Sequence, residues 1–250
     1  MDEAFINWVN TANDFCSSLV DCIVPGKLPA NEQSIFEQKV GYQDNLAIMS
    51  EPYRLWAIET ANEKTAAILS FAVADARVIL APSINKYKEI KLRLLNATHS
   101  LCCGVAILSE FLTVRDALND KAFKDFISSM LLDEIVPLVA EGDITMEEAR
   151  SFALQVIDRF SNQSIEHLWV NIAVQYTAKM QMRVVPLVDK YVKRHGKAPT
   201  LISFGFAAFL LFMKSKNDLG AIDALASKTT MVTSSIFNDQ VFDYVDAIKA

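Results

Sequence analysis

The spacing of hydrophobic and polar positions changes part-way along the chain. Residues 53–58 and 71–80 combine aromatic and branched side chains in short runs, which are typical of strands. From Pro82 onward, apolar residues recur three and four positions apart, as they do on one face of a helix. The pattern therefore predicts a small α/β portion over residues 1–80 and a larger, mainly helical domain over residues 81–250.

Five helices of the larger portion follow from amphipathic spacing, apolar runs and end signals. They are predicted over residues 121–139, 146–160, 165–192, 200–214 and 237–248. Thr145-Met-Glu-Glu148 is a capping-box signature before the second of them. Pro186 predicts a kink in the third, and Gly196-Lys-Ala-Pro199 predicts its end.

Composition places the chain among globular proteins. Of its 250 residues, 52% are hydrophobic and 22% are charged, which suffices for a sizeable core. The formal charge of −6, without a basic stripe, argues against a nucleic-acid partner. A protein of this charge that binds an anionic substrate needs a local cationic pocket.

Neither the cysteines nor the apolar runs indicate a metal site or a membrane span. The four cysteines lack the spacing of zinc ligands, and we expect reduced thiols in a cytoplasmic protein. The apolar runs over 97–112 and 201–213 are interrupted or short, whereas a span takes about twenty apolar residues. The acidic start Met-Asp-Glu-Ala lacks the basic residues of a signal peptide.

Three polar residues, Lys91, Asn96 and His99, interrupt a stretch that is otherwise apolar and helical in its spacing. At about 100° per residue, Asn96 lies about 140° and His99 about 80° from Lys91, so all three fit on one broad face. A lysine in a partly dry site can exchange protons near neutral pH, and an amide can donate a hydrogen bond to a carbonyl oxygen. An imidazole can orient the lysine or relay its proton. A solvated lysine beside two satisfied core residues fits the same pattern, so the residues alone leave a catalytic and a structural interpretation open.

A second polar set, His167, Asn171 and Lys179, falls within the helix predicted over residues 165–192. On an α-helix, Lys179 lies about 80° from Asn171 and about 120° from His167. The three can therefore line one wall of a pocket and bind a carboxylate, with Lys179 as the main contact. A solvated lysine on a long helix is the alternative, and Arg54 and Arg183 are weaker candidates.

The segment Lys91-Leu-Arg-Leu-Leu-Asn96-Ala-Thr-His99 resembles a catalytic motif of the mannitol dehydrogenase family, the polyol-specific long-chain dehydrogenases. That motif reads Lys-x-x-x-Leu-Asn-Gly-x-His. Lys91, Asn96 and His99 have the same spacing as the lysine, asparagine and histidine of that motif, and Ala97 occupies the position of its glycine.

Three shorter segments extend the resemblance through most of the chain. Residues 15–26 are similar to a segment of the family. Ser17 occupies the position at which the family commonly has a substrate-contacting asparagine, and Cys22 occupies the position of its usual arginine. Downstream, residues 159–165 and 177–179 resemble the family's Arg-Phe-x-Asn-Pro and Ser-Lys segments.

The resemblance implies a fold and a mechanism. The fold is a multi-helical C-terminal domain of the 6-phosphogluconate-dehydrogenase-like type, preceded by the closing α/β portion of a Rossmann-type domain. Lys91 is then the general acid in reduction and the general base in oxidation. Asn96, with Ser17, polarises the substrate carbonyl, and His99 orients the substrate or the lysine. No metal is implied, because a charged lysine can polarise the carbonyl.

The implied cofactor is NAD, although the sequence contains neither G-x-G-x-x-G nor a P-loop. No cofactor-binding residue is therefore predicted in this chain. We expect NAD to be held mainly by an N-terminal nucleotide-binding domain that is absent from it, and that domain is then a partner of the chain.

Within the family, residues 41–44 and 51–59 are most similar to the tagaturonate reductases, or altronate oxidoreductases. These enzymes interconvert a keto-hexuronate and a sugar acid with NAD, so the implied substrate is a small sugar acid. A mannitol- or fructuronate-type reductase stays open as an alternative. So does a cofactor-less helical module that acts in assembly and is inactive by itself, and the oligomeric state is also open.

Overall fold

The predicted change of architecture is present in the computed structural model, which describes residues 2–214. The chain divides into two units, of which the first ends at Lys88 and the second begins at Glu89. The first is a small α/β unit and the second is helical. The predicted fold class, mainly α with a smaller α/β N-terminal portion, is confirmed. The domain boundary predicted at 80/81 stays a prediction.

The first unit contains short helices and two small sheets. Its elements are α1 (Glu3–Ala12), β1 (Ser18–Asp21), β2 (Gly26–Lys27), α2 (Ala30–Val40), β3 (Ile48–Met49), β4 (Leu55–Glu59), α3 (Glu63–Ile68), a 3-10 turn (Ser70–Val73), β5 (Val78–Ala81) and α4 (Asn85–Ile90), which runs on into the second unit. Strand β4 pairs antiparallel with β1 and parallel with β5, and β2 pairs antiparallel with β3. Ala57 and Ile58 of the central strand are buried, as expected for a strand between two neighbours.

The strand predicted over 53–58 is confirmed by β4, but the strand predicted over 71–80 is wrong in its first half. The 3-10 turn occupies that half, and β5 begins only at Val78. The cause is Asp75, whose carboxylate accepts the Arg77 N–H at 3.1 Å while its carbonyl accepts the Val78 N–H at 2.9 Å. An aspartate that binds the backbone two residues on makes a turn and so delays the strand.

The second unit is built from α-helices and two π-helical segments. Its elements are π1 (Lys91–Ala97), α5 (Thr98–Leu108), α6 (Val114–Asn119), α7 (Lys121–Ser129), π2 (Met130–Ile135), α8 (Val136–Val139), α9 (Met146–Phe160), α10 (Trp169–Ile172), α11 (Tyr176–Arg183), α12 (Val185–His195) and α13 (Thr200–Lys214). Every side chain from Thr98 to Ala106 is buried, so α5 is the central helix of this unit. None of the helices among the described residues is long and apolar enough to cross a membrane.

Several predicted helices are confirmed. The capping box at Thr145 is present, with Glu148 as its partner, and it opens α9. The helical path over 121–139 exists as α7, π2 and α8. Gly196 ends α12 in the left-handed conformation at φ 67°, and α13 begins at the predicted Thr200 and extends to Lys214, the last described residue. The helix predicted over 237–248 lies outside the described residues.

The single long helix predicted over 165–192 is wrong. The chain forms α10, α11 and α12 in this region, with breaks at Gln175, which has a φ of 54°, and at Val184. Pro186 does not kink a helix; it lies in the first turn of α12, where its missing N–H costs no helical hydrogen bond. His167 precedes α10 altogether, and its carbonyl accepts the Val114 N–H at 2.9 Å.

Candidate active site

The segment that carries Lys91 and Asn96 is a π-helix rather than an α-helix. In a π-helix the N–H of residue i+5 pairs with the C=O of residue i, so residues five apart lie on the same side of the helix. Lys91 and Asn96 are five apart and therefore share one side of π1. The angle of about 140° expected from α-helical winding is wrong, because π-winding turns the chain less at each residue.

His99, the second residue of α5, lies in a dry aromatic pocket and is 6% exposed. Its ring stacks on Phe160 with centroids 4.0 Å apart and an interplanar angle of 16°. The rings of His167 and Trp169 are nearly perpendicular to the His99 ring, at centroid distances of 5.3 and 6.4 Å. His99 Nε2 is buried and has no hydrogen-bond partner within residues 2–214.

Positive side chains surround this imidazole. Burial lowers the pKa of His99 well below its usual 6.5, and four basic neighbours lower it further, although the pKa of one of them, His167, is itself lowered. These neighbours are, in decreasing order of effect, His167, Arg183, Arg159 and Lys179. His99 is therefore a neutral imidazole at neutral pH beside a local concentration of positive charge.

Lys179 is half-buried, and its Nζ donates to the carbonyl of Ile172 at 2.9 Å. Its pKa is lowered, first by burial and then by the charge of Arg183. His167 has a lowered pKa as well, first through burial and then through Lys179. Lys179 and His167 therefore influence each other's surroundings although they do not share a helix. The single helical face predicted for His167, Asn171 and Lys179 does not exist, because these residues belong to separate elements.

The remaining predicted residues occupy different surroundings. Lys91 is half-buried at the start of π1, and Asn171 lies exposed on α10. Ser17 belongs to the first unit and is exposed just before β1, where its hydroxyl accepts from Lys88 Nζ at 3.0 Å. Their roles in substrate binding or catalysis stay predictions.

Arg183 and Arg159 contribute more to this region than the sequence indicated. Arg183 Nη1 donates to the hydroxyl of Ser100 at 3.2 Å and lies 3.4 Å from the carbonyl oxygen of Asn96. Arg183 Nε is buried without a partner among the described residues, and burial lowers the pKa of this guanidinium. The sequence signal for Arg183 was its spacing of four from Lys179, which places both on one side of a helix. The signal for Arg159 was its position in the segment that resembles Arg-Phe-x-Asn-Pro.

The arrangement suits an anionic ligand with a reducible carbonyl. Cations in a partly dry site attract a carboxylate more strongly than they would in water. The buried donors of Arg183 and the unpartnered nitrogen of His99 can form hydrogen bonds with ligand oxygens. Lys91 and Asn96, aligned on π1, are the residue types that exchange a proton and polarise a carbonyl.

Two solved structures share the fold of this chain. The chain superimposes on a D-sorbitol dehydrogenase in substrate-free form with a TM-score of 0.69 and 22% identity, covering 87% of this chain and 43% of that one. It also superimposes on Pseudomonas fluorescens mannitol 2-dehydrogenase, in a ternary complex with NAD and D-mannitol, with a TM-score of 0.68 and 20% identity. That match covers 95% of this chain and 50% of the other.

Sequence comparison gives the family. The mannitol dehydrogenase C-terminal domain matches residues 83–240, and the mannitol dehydrogenase Rossmann domain matches residues 1–69. This chain belongs to the mannitol dehydrogenase family, which confirms the resemblance inferred from the Lys91 motif.

The curated relatives that it matches include proteins named altronate oxidoreductases. The protein of Bacillus subtilis is 34% identical over 219 residues, which are 88% of this chain and 44% of the relative. The protein of Pectobacterium atrosepticum is 33% identical over 229 residues, or 90% and 45% of the two chains. This chain thus spans less than half the length of these relatives.

Proposed function

We propose that this chain forms the substrate-binding and proton-transfer part of an NAD-dependent oxidoreductase that interconverts tagaturonate and altronate. The observation that carries the proposal is the cluster of the cations Lys179 and Arg183 on α11, beside the buried His99, in a chain whose net charge is −6. A hexuronate carries a carboxylate that such a cluster binds, whereas an uncharged polyol gains much less from it. The names of the relatives at 33–34% identity support the same substrate class.

The proposed roles follow from residue chemistry. Lys91 donates a proton to the carbonyl oxygen during reduction and accepts it during oxidation. The amide of Asn96 donates to the same oxygen as negative charge develops on it. Lys179, with a lowered pKa and one bond to a backbone carbonyl, binds the substrate carboxylate.

The nicotinamide cofactor would supply the hydride, but the described residues do not fit its pyrophosphate. Helix α3 lies between the parallel strands β4 and β5 along the chain. The connection from β4 to α3 is Thr60-Ala61-Asn62. It contains no glycine, whereas a dinucleotide-binding turn needs glycines so that the backbone can approach the pyrophosphate. We therefore propose that a nucleotide-binding domain outside this chain holds most of the cofactor.

The test is steady-state kinetics on a fusion of this chain to a complete nucleotide-binding domain, with NADH and a panel of tagaturonate, fructuronate and fructose. Tagaturonate should have the highest kcat/KM. Lys91→Ala should lower kcat by about a hundred- to ten-thousandfold, the usual contribution of a general acid. Lys179→Ala should raise KM for the two hexuronates and leave KM for fructose unchanged, because fructose has no carboxylate.

Lys121→Ala is the matched control, since it removes an exposed lysine that pairs with Asp125 on α7. It should leave every kinetic constant unchanged. A preference for fructose would indicate a mannitol-type enzyme, and a preference for fructuronate a fructuronate-type reductase. No reduction of any of the three sugars would favour an assembly module.

A further inference from the structure

Two arginines cross between π1 and the end of α11, and each donates to the backbone of the other's helix. Arg93 Nη1 donates to the carbonyls of Met182 and Arg183, both at 2.9 Å. In return, Arg183 Nη1 reaches the carbonyl of Asn96 at 3.4 Å and the hydroxyl of Ser100 at 3.2 Å. We infer that Arg93 and Arg183 are positioning residues, a reciprocal clamp that holds Lys91 and Asn96 in place for proton transfer. The inference rests on the proposed function.

The first half of the clamp caps a helix. Met182 and Arg183 are the last residues of α11, and the last four carbonyls of an α-helix have no partner within it. The Arg93 side chain is only 13% exposed, and its Nε is fixed by the carboxylate of Glu89 at 3.0 Å. A cation at a helix C-terminus is also favoured by the helix dipole. Arg93 therefore fixes the end of α11 to π1.

The second half acts where π1 becomes α5. Side-chain hydroxyls bond two carbonyls near this change of winding, and the first is that of Leu94, which accepts from the Thr98 hydroxyl at 2.7 Å. Asn96 is the second-last residue of π1. Its carbonyl accepts from the Ser100 hydroxyl at 3.0 Å, and Arg183 donates to both oxygens. Side-chain donors thus stabilise the wide turn that carries the Asn96 amide.

The clamp joins the two parts of the proposed site. Arg93 lies two residues after Lys91, and Arg183 lies four residues after Lys179 on the same helix. Loss of either guanidinium should therefore let π1 relax toward ordinary α-helical winding. That change moves Lys91 and Asn96 off a common side, while the carboxylate contact at Lys179 stays in place.

The experiment uses the fusion to a complete nucleotide-binding domain with NADH and tagaturonate. Arg93→Met and Arg183→Met should each lower kcat by about 10- to 100-fold, since a misplacement of about 1 Å can cost that much. In Arg93→Met, KM should change by less than about threefold, because the carboxylate contact at Lys179 is kept. Arg183→Met also removes a charge beside that contact, so its KM for tagaturonate should rise while its loss of kcat matches that of Arg93→Met. Arg93→Lys and Arg183→Lys should recover part of kcat, and Arg93→Met should cost nothing further when Lys91 is already alanine.

Arg194→Met is the matched control. Arg194 Nη1 donates to the Pro137 carbonyl at 2.6 Å, so this variant also removes a guanidinium-to-carbonyl bond between two helices, α12 and α8. Its kcat and KM should equal those of the parent. Equal losses of kcat in all three methionine variants would show a general structural effect and overturn the inference.

Amide hydrogen exchange of the peptide covering residues 91–100 tests the clamp without using activity. Exchange should be faster in Arg93→Met and Arg183→Met, and unchanged in Arg194→Met. Unchanged exchange in the clamp variants, or faster exchange with full turnover, overturns the inference while the proposed function stands. A parent protein that reduces no hexuronate contradicts the proposed function, and the role of the clamp in proton transfer falls with it.

Discussion

The backbone N–H of Gly104 donates to the hydroxyl oxygen of Tyr176 at 2.8 Å, although the two residues are 72 positions apart. The same hydroxyl donates to the Ser100 carbonyl at 2.6 Å. In an α-helix these two backbone groups pair with each other, so the tyrosine hydroxyl bonds both members of one backbone pair of α5. Tyr176 opens α11, and these two bonds therefore hold the helix of Lys179 against the helix of His99.

Tyr176→Phe should lower the free energy of unfolding by about 1–3 kcal/mol, the usual cost of leaving buried backbone groups without a partner. The ring itself is retained, so packing against α13 is unchanged. Urea unfolding measures the difference. Tyr191→Phe, on half-buried α12, is the control and should change stability by less than about 0.5 kcal/mol. Equal stability of Tyr176→Phe and the parent would contradict the role of the hydroxyl.

The stability of the chain should fall as the pH drops below about 6.5. The folded state keeps His99 neutral because its pKa is well below 6.5, whereas the unfolded state takes up a proton there. The contribution of His99 to the free energy of unfolding is therefore complete above pH 6.5. It is lost on acidification, by up to about 1.4 kcal/mol per pH unit for one histidine. The lowered pKa of His167 acts in the same direction.

Urea unfolding at pH 7.5, 6.5 and 5.5 checks this pH dependence. His99→Leu removes the titrating ring and should make the slope shallower by up to about 1.4 kcal/mol per pH unit. Leu211→Ala removes an exposed side chain that does not titrate and should leave the slope unchanged. An identical slope in His99→Leu and the parent would show that the buried imidazole does not titrate as described.

Gly205→Ala should destabilise the second unit by forcing α13 away from α5. A Cβ at this position would lie 2.9 Å from the Leu101 carbonyl oxygen and 3.1 Å from Leu101 Cβ, closer than packed atoms tolerate. Overpacking of this kind costs about 1–3 kcal/mol, to be measured by thermal or urea unfolding. Leu211→Ala, on the exposed side of the same helix, should have a much smaller effect; the reverse order would contradict the close approach of the helices.

The isolated 250-residue chain should bind NADH weakly or not at all. The connection from β4 to α3 lacks the glycines that bring a backbone close to pyrophosphate. Calorimetric titration of the chain with NADH is the measurement, and the fusion to a complete nucleotide-binding domain is the positive control. A micromolar Kd for the isolated chain would prove this expectation wrong.

Elements whose signals lie within a few residues could be predicted from the sequence. The capping box of α9 is one, because Thr145 and Glu148 satisfy each other's backbone groups three residues apart. Strand β4 and helix α13 are others, since their composition and end signals are local. The helix predicted over 165–192 failed because its amphipathic spacing does not reveal the break at Gln175.

The sequence by itself determined which residue types stand in the Lys91 motif and how far apart they are, and these sufficed to predict the family. Only the tertiary structure decided the π-winding that aligns Lys91 with Asn96 and the stacking of His99 on Phe160. It also decided the crossing of Arg93 and Arg183, residues that are 90 positions apart. The physical reason is range: caps and turns are satisfied within one helical turn, whereas burial, charge clustering and long-range hydrogen bonds depend on which helix faces meet.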